Sequence, residues 1–282
     1  MDISVLDHEK VLSMLPDRPN DSHKGSFGKI LLLCGSRSFT GAAAFAAMGA
    51  LRSGAGLVYM AVPESIYEIE AVKLTEPVIF PVEDCNGTYA VSAASQIEKL
   101  LPGKDVVLIG PGIGQSDGAV AVVRTVLELY TGPVVVDADG INVLSAHKDI
   151  LRGRTSPTIL TPHDGEFRRF GGDLTDNRIR SAMEMAKQNF CIVLLKGHRT
   201  IITDGIRCFC NPTGNPGMAT GGSGDVLSGI ITSLLGQGLP PLEAAACGAW
   251  LHGAAGDICA KEIGQYGMLP SDMITVLPRL MK

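Results

Sequence analysis

The stretch that decides the fold reads Lys29-Ile30-Leu31-Leu32-Leu33-Cys34-Gly35. It is a continuous apolar run that ends in glycine, and residues 42–53 after it are long enough to form a helix. Continuous apolar runs of this length are typical of strands that are buried on both faces of a parallel sheet. The stretch therefore predicts a β-strand followed by a covering α-helix.

The same unit recurs along the chain. Further apolar runs of this kind are residues 56–62, 106–110, 134–137, 158–161 and 192–196. Segments with helical spacing are residues 92–100, 119–130, 178–188, 226–235 and 242–263. Residues 200–203 and 207–210 predict a short hairpin that closes the series of strands. The pattern predicts an α/β fold whose mostly parallel sheet is covered by helices on both faces.

Composition and charge exclude several classes of protein. The 282 residues are 45% hydrophobic and 19% charged, which predicts a large core and one α/β domain over residues 1–282. The net charge is −5 and no segment concentrates Lys and Arg, so nucleic acid is not an expected partner. No long uncharged apolar run is present, and the acidic start lacks the features of a secretory signal, so we expect neither a membrane span nor export. The seven scattered cysteines are typical of the reducing cytoplasm.

Glycine and polar residues collect at the ends of the predicted strands. These ends read Gly35-Ser36-Arg37, Gly110-Pro111-Gly112-Ile113-Gly114, Asp137-Ala138-Asp139-Gly140, Thr161-Pro162-His163-Asp164-Gly165-Glu166 and Lys196-Gly197-His198. In open α/β sheets, ligands bind beyond the carboxyl ends of the strands. Glycine at such a place lets the backbone approach a ligand closely, although an ordinary turn would also use glycine. These ends are the first place to look for a site.

The strongest candidate site is Asn215-Pro216-Gly217-Met218-Ala219-Thr220-Gly221-Gly222-Ser223-Gly224-Asp225, which an apolar helix follows directly. Backbone N–H groups of Gly221, Gly222, Ser223 and Gly224 at a helix start predict an anion hole suited to phosphate. Asp225 would either cap the helix or take a proton from an attacking hydroxyl, and a carboxylate beside phosphate favours the second role. Neither a P-loop motif nor a dinucleotide-binding G-x-G-x-x-G is present.

This layout resembles the ribokinase-like superfamily, whose fold is a three-layer αβα sandwich with a mostly parallel central sheet. Within it, the chain resembles the ADP/ATP-dependent NAD(P)H-hydrate (NAD(P)HX) dehydratase family over nearly its whole length. The motifs that carry the resemblance are residues 23–56, Leu160-Thr161-Pro162-His163, Lys196-Gly197-His198-Arg199-Thr200 and residues 214–227. Two positions depart from the family pattern, since Asp164 stands where proline is usual and Ser223 where threonine is common. Neither change removes a charged group.

The resemblance implies an enzyme that uses ADP or ATP to dehydrate (6S)-NAD(P)HX, a lyase reaction that repairs the nicotinamide cofactor. It implies that Asp225 is the base. It also implies a substrate site of Ala43, Gly114, His163 and Asp225, and nucleotide contacts from Lys196, Gly197, His198, Arg199, Thr200 and Gly224. A homotetramer and a separate NAD(P)HX epimerase as a functional partner are further expectations of the resemblance.

Three side chains near the predicted site keep a second interpretation. His163 would otherwise be an ordinary packed or solvated histidine. Lys196 would pair with phosphate or simply end its strand in solvent. Glu166 would hold Mg²⁺ through water, or would favour the positive end of a helix dipole from its first turn.

Two further pairs of residues carry expectations about where their side chains lie. Asp137 and Asp139 would point to opposite sides if their strand ran through both, so at most one of them is expected to face the nucleotide. Trp250 and His252 lie among alanines and glycines of the last long helix, which favours core packing or a subunit contact.

Two other functions remain open on the residues alone. A ribokinase-like kinase for a small alcohol, such as a vitamin precursor, would use the same aspartate and anion hole but would release a stable phosphoester. A regulatory protein would bind the nucleotide without releasing phosphate. The intact Gly-Ser-Gly-Asp stretch counts against a pure sensor.

Overall fold

The computed structural model describes residues 3–175 and 177–282, so that Met1 and Asp2 of the acidic start lie outside the described residues. The strands of this part are β1 (Ile3–Val5), β2 (Lys29–Leu33), β3 (Leu57–Pro63), β4 (Val78–Val82), β5 (Asp84–Cys85), β6 (Thr88–Tyr89), β7 (Val106–Ile109), β8 (Val134–Val136), β9 (Thr158–Leu160), β10 (Ile192–Leu195), β11 (Ile201–Thr203) and β12 (Cys208–Cys210).

Helices connect most of these strands. They are α1 (His8–Met14), α2 (Thr40–Arg52), α3 (Glu64–Lys73), α4 (Ala93–Leu100), α5 (Asp117–Leu129), α6 (Asp139–Ser145), α7 (Asp149–Arg152), α8 (Asp164–Arg169), α9 (Arg178–Asn189), α10 (Ser223–Gly236), α11 (Pro241–Glu262) and α12 (Pro270–Val276). Short 3-10 helices cover Lys24–Phe27, Pro216–Met218 and Leu277–Met281. Among the described residues, no helix combines the length and the apolar character needed to cross a bilayer.

Ten strands form one sheet in the order β1-β12-β11-β10-β9-β8-β7-β2-β3-β4 across the described residues. All pairs in it are parallel except the two that β11 makes with β10 and β12. The hairpin β5-β6 stands apart from this sheet. The predicted mostly parallel sheet is confirmed.

The strands separate two cores, because successive side chains of a strand point to opposite faces. Ile30 and Leu32 of β2 lie in the core that includes residues of α2, α10 and α11. Leu31 and Leu33 of the same strand lie in the core that includes residues of α5 and α9. Helices therefore cover both faces, as the predicted three-layer αβα sandwich requires.

Helix α10 lies against α2 with almost no space between their backbones. A Cβ on Gly229 would come within 2.1 Å of the carbonyl oxygen of Ala46, and one on Gly49 within 2.5 Å of that of Val226. Glycine at both positions is thus required for this close approach. The contact fixes the start of α10 beside α2.

Every strand predicted from a continuous apolar run is present, with its ends within about two residues. The edge strands β1 and β4 were not predicted. Strand β1 has only three residues, and β4 contains Pro81, which removes a backbone donor and is tolerated mainly at sheet edges. Helix α10 begins at Ser223 and not at Val226, which places Asp225 inside its first turn.

Candidate active site at the carboxyl ends of the strands

Five neighbouring strands, β10, β9, β8, β7 and β2, end at one edge of the sheet. Parallel strands bring their carboxyl ends together, so the polar segments that follow them in the sequence meet at this edge. Helix α10 points its amino end at the same place. A Cβ on Gly224 would come within 3.5 Å of Lys196 Nζ and 3.9 Å of Asp137 Oδ2. The edge therefore combines strand ends with the glycine-rich loop, defined here as residues 214–224.

The start of α10 is open to a ligand. Its N-cap residue is Gly222, which has φ 93° and no side chain that could cap the first N–H groups. A Cβ on Gly222 would meet the Phe45 ring at 2.6 Å, whereas one on Gly221 would meet nothing within 4 Å. The N–H of Ser223 donates to the carbonyl oxygen of Thr220 at 3.4 Å. The other N–H groups of a first helical turn, together with the helix dipole, attract an anion at such a place. The geometry supports the predicted anion hole at Gly221–Gly224.

Asp225 stands at the third position of α10 and therefore does not serve as its N-cap. Burial and, after it, the negative charge of Asp137 raise the pKa of Asp225 to about 7 against the lowering effect of Lys196, and Asp139 adds a smaller increase to the same total. A carboxyl whose pKa is close to neutrality can both take up and release a proton near pH 7. This is the chemistry that a general base at the anion hole needs.

Lys196 does not end its strand in solvent. Its Nζ lies 2.8 Å from Asp137 Oδ1 and 3.8 Å from Glu166 Oε2. Burial would lower the pKa of Lys196, but Asp137 and Glu166 outweigh this effect, and with Asp225 they raise it. The lysine is therefore a fixed positive charge beside the start of α10, and contact with a phosphate remains a prediction.

The expectation that Asp137 and Asp139 point to opposite sides was wrong in its premise. Strand β8 ends at Val136, and Ala138 has φ 50°, so the strand alternation does not continue through the two aspartates. Asp139 begins α6, and its Oδ2 accepts a 2.9 Å hydrogen bond from the N–H of Gly114. Asp137 Oδ2 lies beside Gly224, and the negative charges of both aspartates raise the pKa of Asp225.

His163 is the N-cap of α8, and its side chain is about half exposed. Its Nδ1 accepts hydrogen bonds from the N–H groups of Gly165 and Glu166, and the Glu166 carboxylate accepts one from the His163 N–H at 2.8 Å. This reciprocal capping explains the first-turn position of Glu166. The Nε2 of His163 lies 3.3 Å from Glu166 Oε1, and the contact of His163 with substrate stays a prediction.

The remaining predicted residues lie in different surroundings. Ala43 is fully buried in the first turn of α2, where a Cβ on Gly35 would come within 2.9 Å of its own Cβ. Its small side chain packs against Gly35, and the contact of Ala43 with substrate stays a prediction. Gly197, His198 and Arg199 are exposed, and Thr200 Oγ1 donates a 3.0 Å hydrogen bond to the carbonyl oxygen of Gly197.

Sequence reasoning missed several residues around the site. Arg178 donates to the carbonyl oxygen of Lys196 at 2.6 Å and to Asp164 at 2.5 Å. His252 is buried as expected, but its Nε2 also lies 3.2 Å from Ser223 Oγ in the glycine-rich loop. Asp257 of α11 binds the beginning of the same loop. A charged residue inside an alanine- and glycine-rich helix was the available signal for Asp257.

The comparisons with known proteins agree with this arrangement. The family model described as NAD(P)H-hydrate dehydratase matches residues 30–279. The chain belongs to the NAD(P)H-hydrate dehydratase family. The motif resemblance and the ribokinase-like fold predicted from it are thereby confirmed.

Three proteins illustrate the similarity. The ADP-dependent (S)-NAD(P)H-hydrate dehydratase of Bacillus subtilis is 34% identical over 288 residues, which cover 100% of this chain and 99% of the relative. The crystal structure of the ADP/ATP-dependent dehydratase from that organism, co-crystallized with ATP/Mg2+, matches with a TM-score of 0.87, 32% identity and coverage of 99% and 98%. A ribokinase-like superfamily protein from Enterococcus faecalis matches with a TM-score of 0.89, 28% identity and coverage of 99% and 95%.

A longer relative is the bifunctional NAD(P)H-hydrate repair enzyme Nnr of Moorella thermoacetica, which is 43% identical over 277 residues. The match covers 96% of this chain but only 52% of that enzyme. The chain thus spans about half the length of the first curated relatives that it matches.

Proposed function

We propose that this member of the dehydratase family uses ADP, or ATP, to dehydrate NAD(P)HX to NAD(P)H, which repairs the damaged cofactor. The observation that carries the proposal is Asp225 in the first turn of α10, beside an uncapped helix start and with a pKa of about 7. The family membership and the printed activity of the Bacillus subtilis relative support it.

In the proposed reaction, Asp225 takes the proton of the hydroxyl group on the hydrated ring. The hydroxyl oxygen then forms a bond to the terminal phosphorus of ADP, and the bond between that phosphorus and its bridging oxygen breaks to release AMP. The phosphorylated ring carbon expels phosphate as the ring nitrogen supplies its electron pair, and loss of a ring proton restores NADH or NADPH. ATP would give ADP in the same way.

The glycine-rich loop would stabilise the charge on the phosphoryl group during transfer. The N–H groups at the start of α10 are fixed before the ligand arrives, and preorganised donors of this kind give much of the rate enhancement in phosphoryl transfer. Lys196 adds a positive charge next to Gly224. We assign the nucleotide contacts to Gly224 and residues 196–200, and the substrate contacts to Ala43, Gly114, His163 and Asp225.

Mg²⁺ is part of the proposal. Among the described residues, no group of three or more His, Cys, Asp or Glu side chains is arranged to hold a metal ion. This donor set fits an ion held mainly by nucleotide phosphate oxygens, which is a common mode for Mg²⁺. Glu166 would contribute through water, because its Oε2 already accepts from the N–H of His163. The ion would offset negative charge on the transferred phosphoryl group.

The proposal extends to the setting of the enzyme. The seven cysteines are free thiols, which supports a cytoplasmic location. An NAD(P)HX epimerase is the proposed functional partner, and the name of the Moorella thermoacetica relative, a bifunctional NAD(P)H-hydrate repair enzyme, supports a second repair activity beside the dehydratase. We also propose a single domain over residues 1–282 and a homotetramer, and exposed Tyr67, Ile69 and Val72 on α3 would suit a subunit contact. Light scattering would measure the assembly.

The decisive experiment supplies hydrated NADH or NADPH with ADP or ATP and follows the recovery of reduced-nicotinamide absorbance. We expect recovery together with stoichiometric release of phosphate and AMP or ADP. No recovery with either nucleotide, together with a phosphorylated small alcohol as the product, would instead support the kinase. Nucleotide binding without phosphate release would support a regulatory protein.

A further inference from the structure

Helix α11 supports the glycine-rich loop from behind. A Cβ on Gly253 would come within 2.2 Å of Thr213 Oγ1, and one on Gly256 within 2.3 Å of Met218 Sδ. Neither position has room for a side chain, so the loop lies directly on the helix. Contact of this kind matters because glycine-rich backbone has wide conformational freedom and needs support from elsewhere to hold one shape.

One charged side chain of α11 makes specific bonds to the beginning of the loop. Asp257 Oδ2 accepts a 2.9 Å hydrogen bond from the N–H of Gly214, and its Oδ1 accepts one of 2.9 Å from Asn215 Nδ2. Asn215 Oδ1 in turn accepts a 3.0 Å hydrogen bond from the N–H of Gly217. Asp257 thus begins a relay of hydrogen bonds, defined here as Asp257, Asn215 and Gly217.

Short-range backbone bonds continue from this relay to the anion hole. The N–H of Met218 donates to the carbonyl oxygen of Asn215 at 3.1 Å, and the N–H of Thr220 donates to that of Met218 at 2.9 Å. At the far end, Ser223 Oγ lies 3.2 Å from His252 Nε2, also on α11. Burial lowers the pKa of His252 to about 4, so this second anchor stays neutral near pH 7.

We propose that Asp257 is a positioning residue, which fixes the glycine-rich loop through Asn215 so that the start of α10 holds the terminal phosphoryl group of the nucleotide. Asp257 bonds to the loop and is not assigned a contact with substrate. The inference rests on the proposed function. It predicts that hydrogen-bond polarity at two positions far apart in the sequence determines how well a phosphate is held.

The polarity of the relay suggests a matched pair of substitutions. In Asp257→Asn, the amide oxygen at position 257 can still accept from the N–H of Gly214, but the amide NH₂ then faces the NH₂ of Asn215, and two donors cannot bond. If the Asn215 amide turns over to present its oxygen to position 257, its NH₂ faces the N–H of Gly217 instead. At least one hydrogen bond is therefore lost. The double variant Asn215→Asp/Asp257→Asn restores all three, because the amide at 257 then donates to the carboxylate at 215, which still accepts from Gly217. The number of charges is unchanged from the wild type.

The test measures kcat, the KM for hydrated NADH, and the dissociation constants of ADP and AMP by calorimetry. We expect Asp257→Asn to lower kcat about 10- to 100-fold, since small misplacements of a reacting group have effects of this size. The KM for hydrated NADH should change less than about twofold. The preference for ADP over AMP should shrink by about tenfold, and the double variant should recover most of both losses.

Two further variants keep the test decisive. Asn215→Ala breaks the relay from the loop side and should match Asp257→Asn even if the latter folds poorly. Glu262→Gln, an exposed change at the end of α11, is the matched control and should leave every readout within about twofold. Retained kcat and ADP preference in Asp257→Asn or Asn215→Ala would overturn the inference, as would a double variant no better than Asp257→Asn.

The nucleotide measurement separates this inference from the proposed function. If the wild type binds ADP more tightly than AMP but does not regenerate NADH, the proposed function fails while the positioning role of Asp257 is still decided by the ADP preference. If the wild type shows no preference for ADP over AMP, the inference itself is wrong.

Discussion

The glycine-rich loop and the segment of residues 196–200 face the same site but are held in different ways. The loop packs on glycines of α11 and is bonded at both ends, to Asp257 and to His252. Residues 197–199 are exposed, and Arg199 has φ 55°. The ends of that segment are held by backbone hydrogen bonds from Lys196 N–H to Pro162 and from Asn211 N–H to Thr200, and Arg178 of α9 donates to the carbonyl oxygen of Lys196.

The difference indicates a division of labour. Groups that stabilise a transition state must be in place before reaction, because reorganisation during the reaction reduces their effect. Groups that only bind the nucleotide can adjust as it enters, and loops with few buried contacts are suited to this. We therefore expect changes in the glycine-rich loop to act on kcat and changes in the exposed residues 197–199 to act on the KM for the nucleotide.

Asp225→Asn should have the largest effect, because it removes the base at the end of the more rigid region. We expect kcat to fall by about 1000-fold, within the range typical of general-base catalysis. The dissociation constant of ADP should change only a few-fold, since the amide keeps the shape of the site. Turnover assays and calorimetry measure the two, and retained turnover would remove Asp225 from the role of base.

The effect of Asp225→Asn on the stability of the fold should depend on pH. The folded-state pKa of Asp225 is about 7, above its usual value, so the carboxyl contributes stability at low pH that is lost as the pH rises towards 7. Asparagine does not ionise. The Tm of Asp225→Asn relative to the wild type should therefore increase from pH 4 to pH 8, and a constant difference would contradict a raised pKa.

Gly222→Ala should have the next largest effect. The substitution places a Cβ at φ 93°, which costs about 1–2 kcal/mol, and brings it to 2.6 Å from the Phe45 ring. We expect a lower Tm and a kcat reduced about 100-fold, because the start of α10 must shift. The matched control is Gly221→Ala, where a Cβ meets nothing within 4 Å and the Tm should not change. Equal losses of Tm in the two variants would show that the loop is not tightly held at Gly222.

Arg178→Ala tests the less supported region. It removes the bonds to Lys196 and Asp164, and hydrogen bonds to charged groups contribute about 1.5–3 kcal/mol when well buried. The Arg178 and Asp164 side chains are 29% and 45% exposed, so we expect an increase of about tenfold in the KM for ADP.

Steady-state kinetics with varied ADP give the answer for Arg178. The kcat should stay within about threefold of the wild type, and Arg178→Lys should recover part of the loss because it keeps one donor. A large fall in kcat with an unchanged KM for ADP would contradict the expectation that the two regions act on different kinetic constants.

The features that the sequence predicted are those that require a recognisable pattern of residues close together in the chain. Strands such as β2 and β7 are apolar on both faces because both faces are buried, and an anion hole at a helix start needs glycine in a short stretch. Strand β4 was missed because an edge strand tolerates Pro81 and exposed residues.

Long-range partners leave no such pattern. Lys196 and Asp137 are 59 positions apart, and Asp257 and Asn215 are 42 apart. Their meeting depends on the order of strands in the sheet and on the path of α11, which spacing along the chain does not encode. For Lys196 the sequence offered phosphate or solvent as its surroundings, and its ion pair with Asp137 was not predicted.

The smallest predicted effect concerns the charge of Asp139 at the start of α6, which raises the pKa of Asp225. Asp139→Asn removes that charge, while the amide oxygen can still accept from the N–H of Gly114. Asp225 must be ionised to act as a base, and the substitution should lower its pKa. The acid limb of the pH profile of kcat/KM should therefore move to lower pH, by about half a unit for two partly solvated charges. Asp137 and Lys196, the other charges that act on Asp225, are unchanged in this variant. The control is Asp149→Asn, an exposed change on α7, which should leave the acid limb at the same pH as in the wild type. A limb that moves to higher pH would mean that the titrating group is not Asp225, because removing a negative charge cannot raise the pKa of a neighbouring carboxyl.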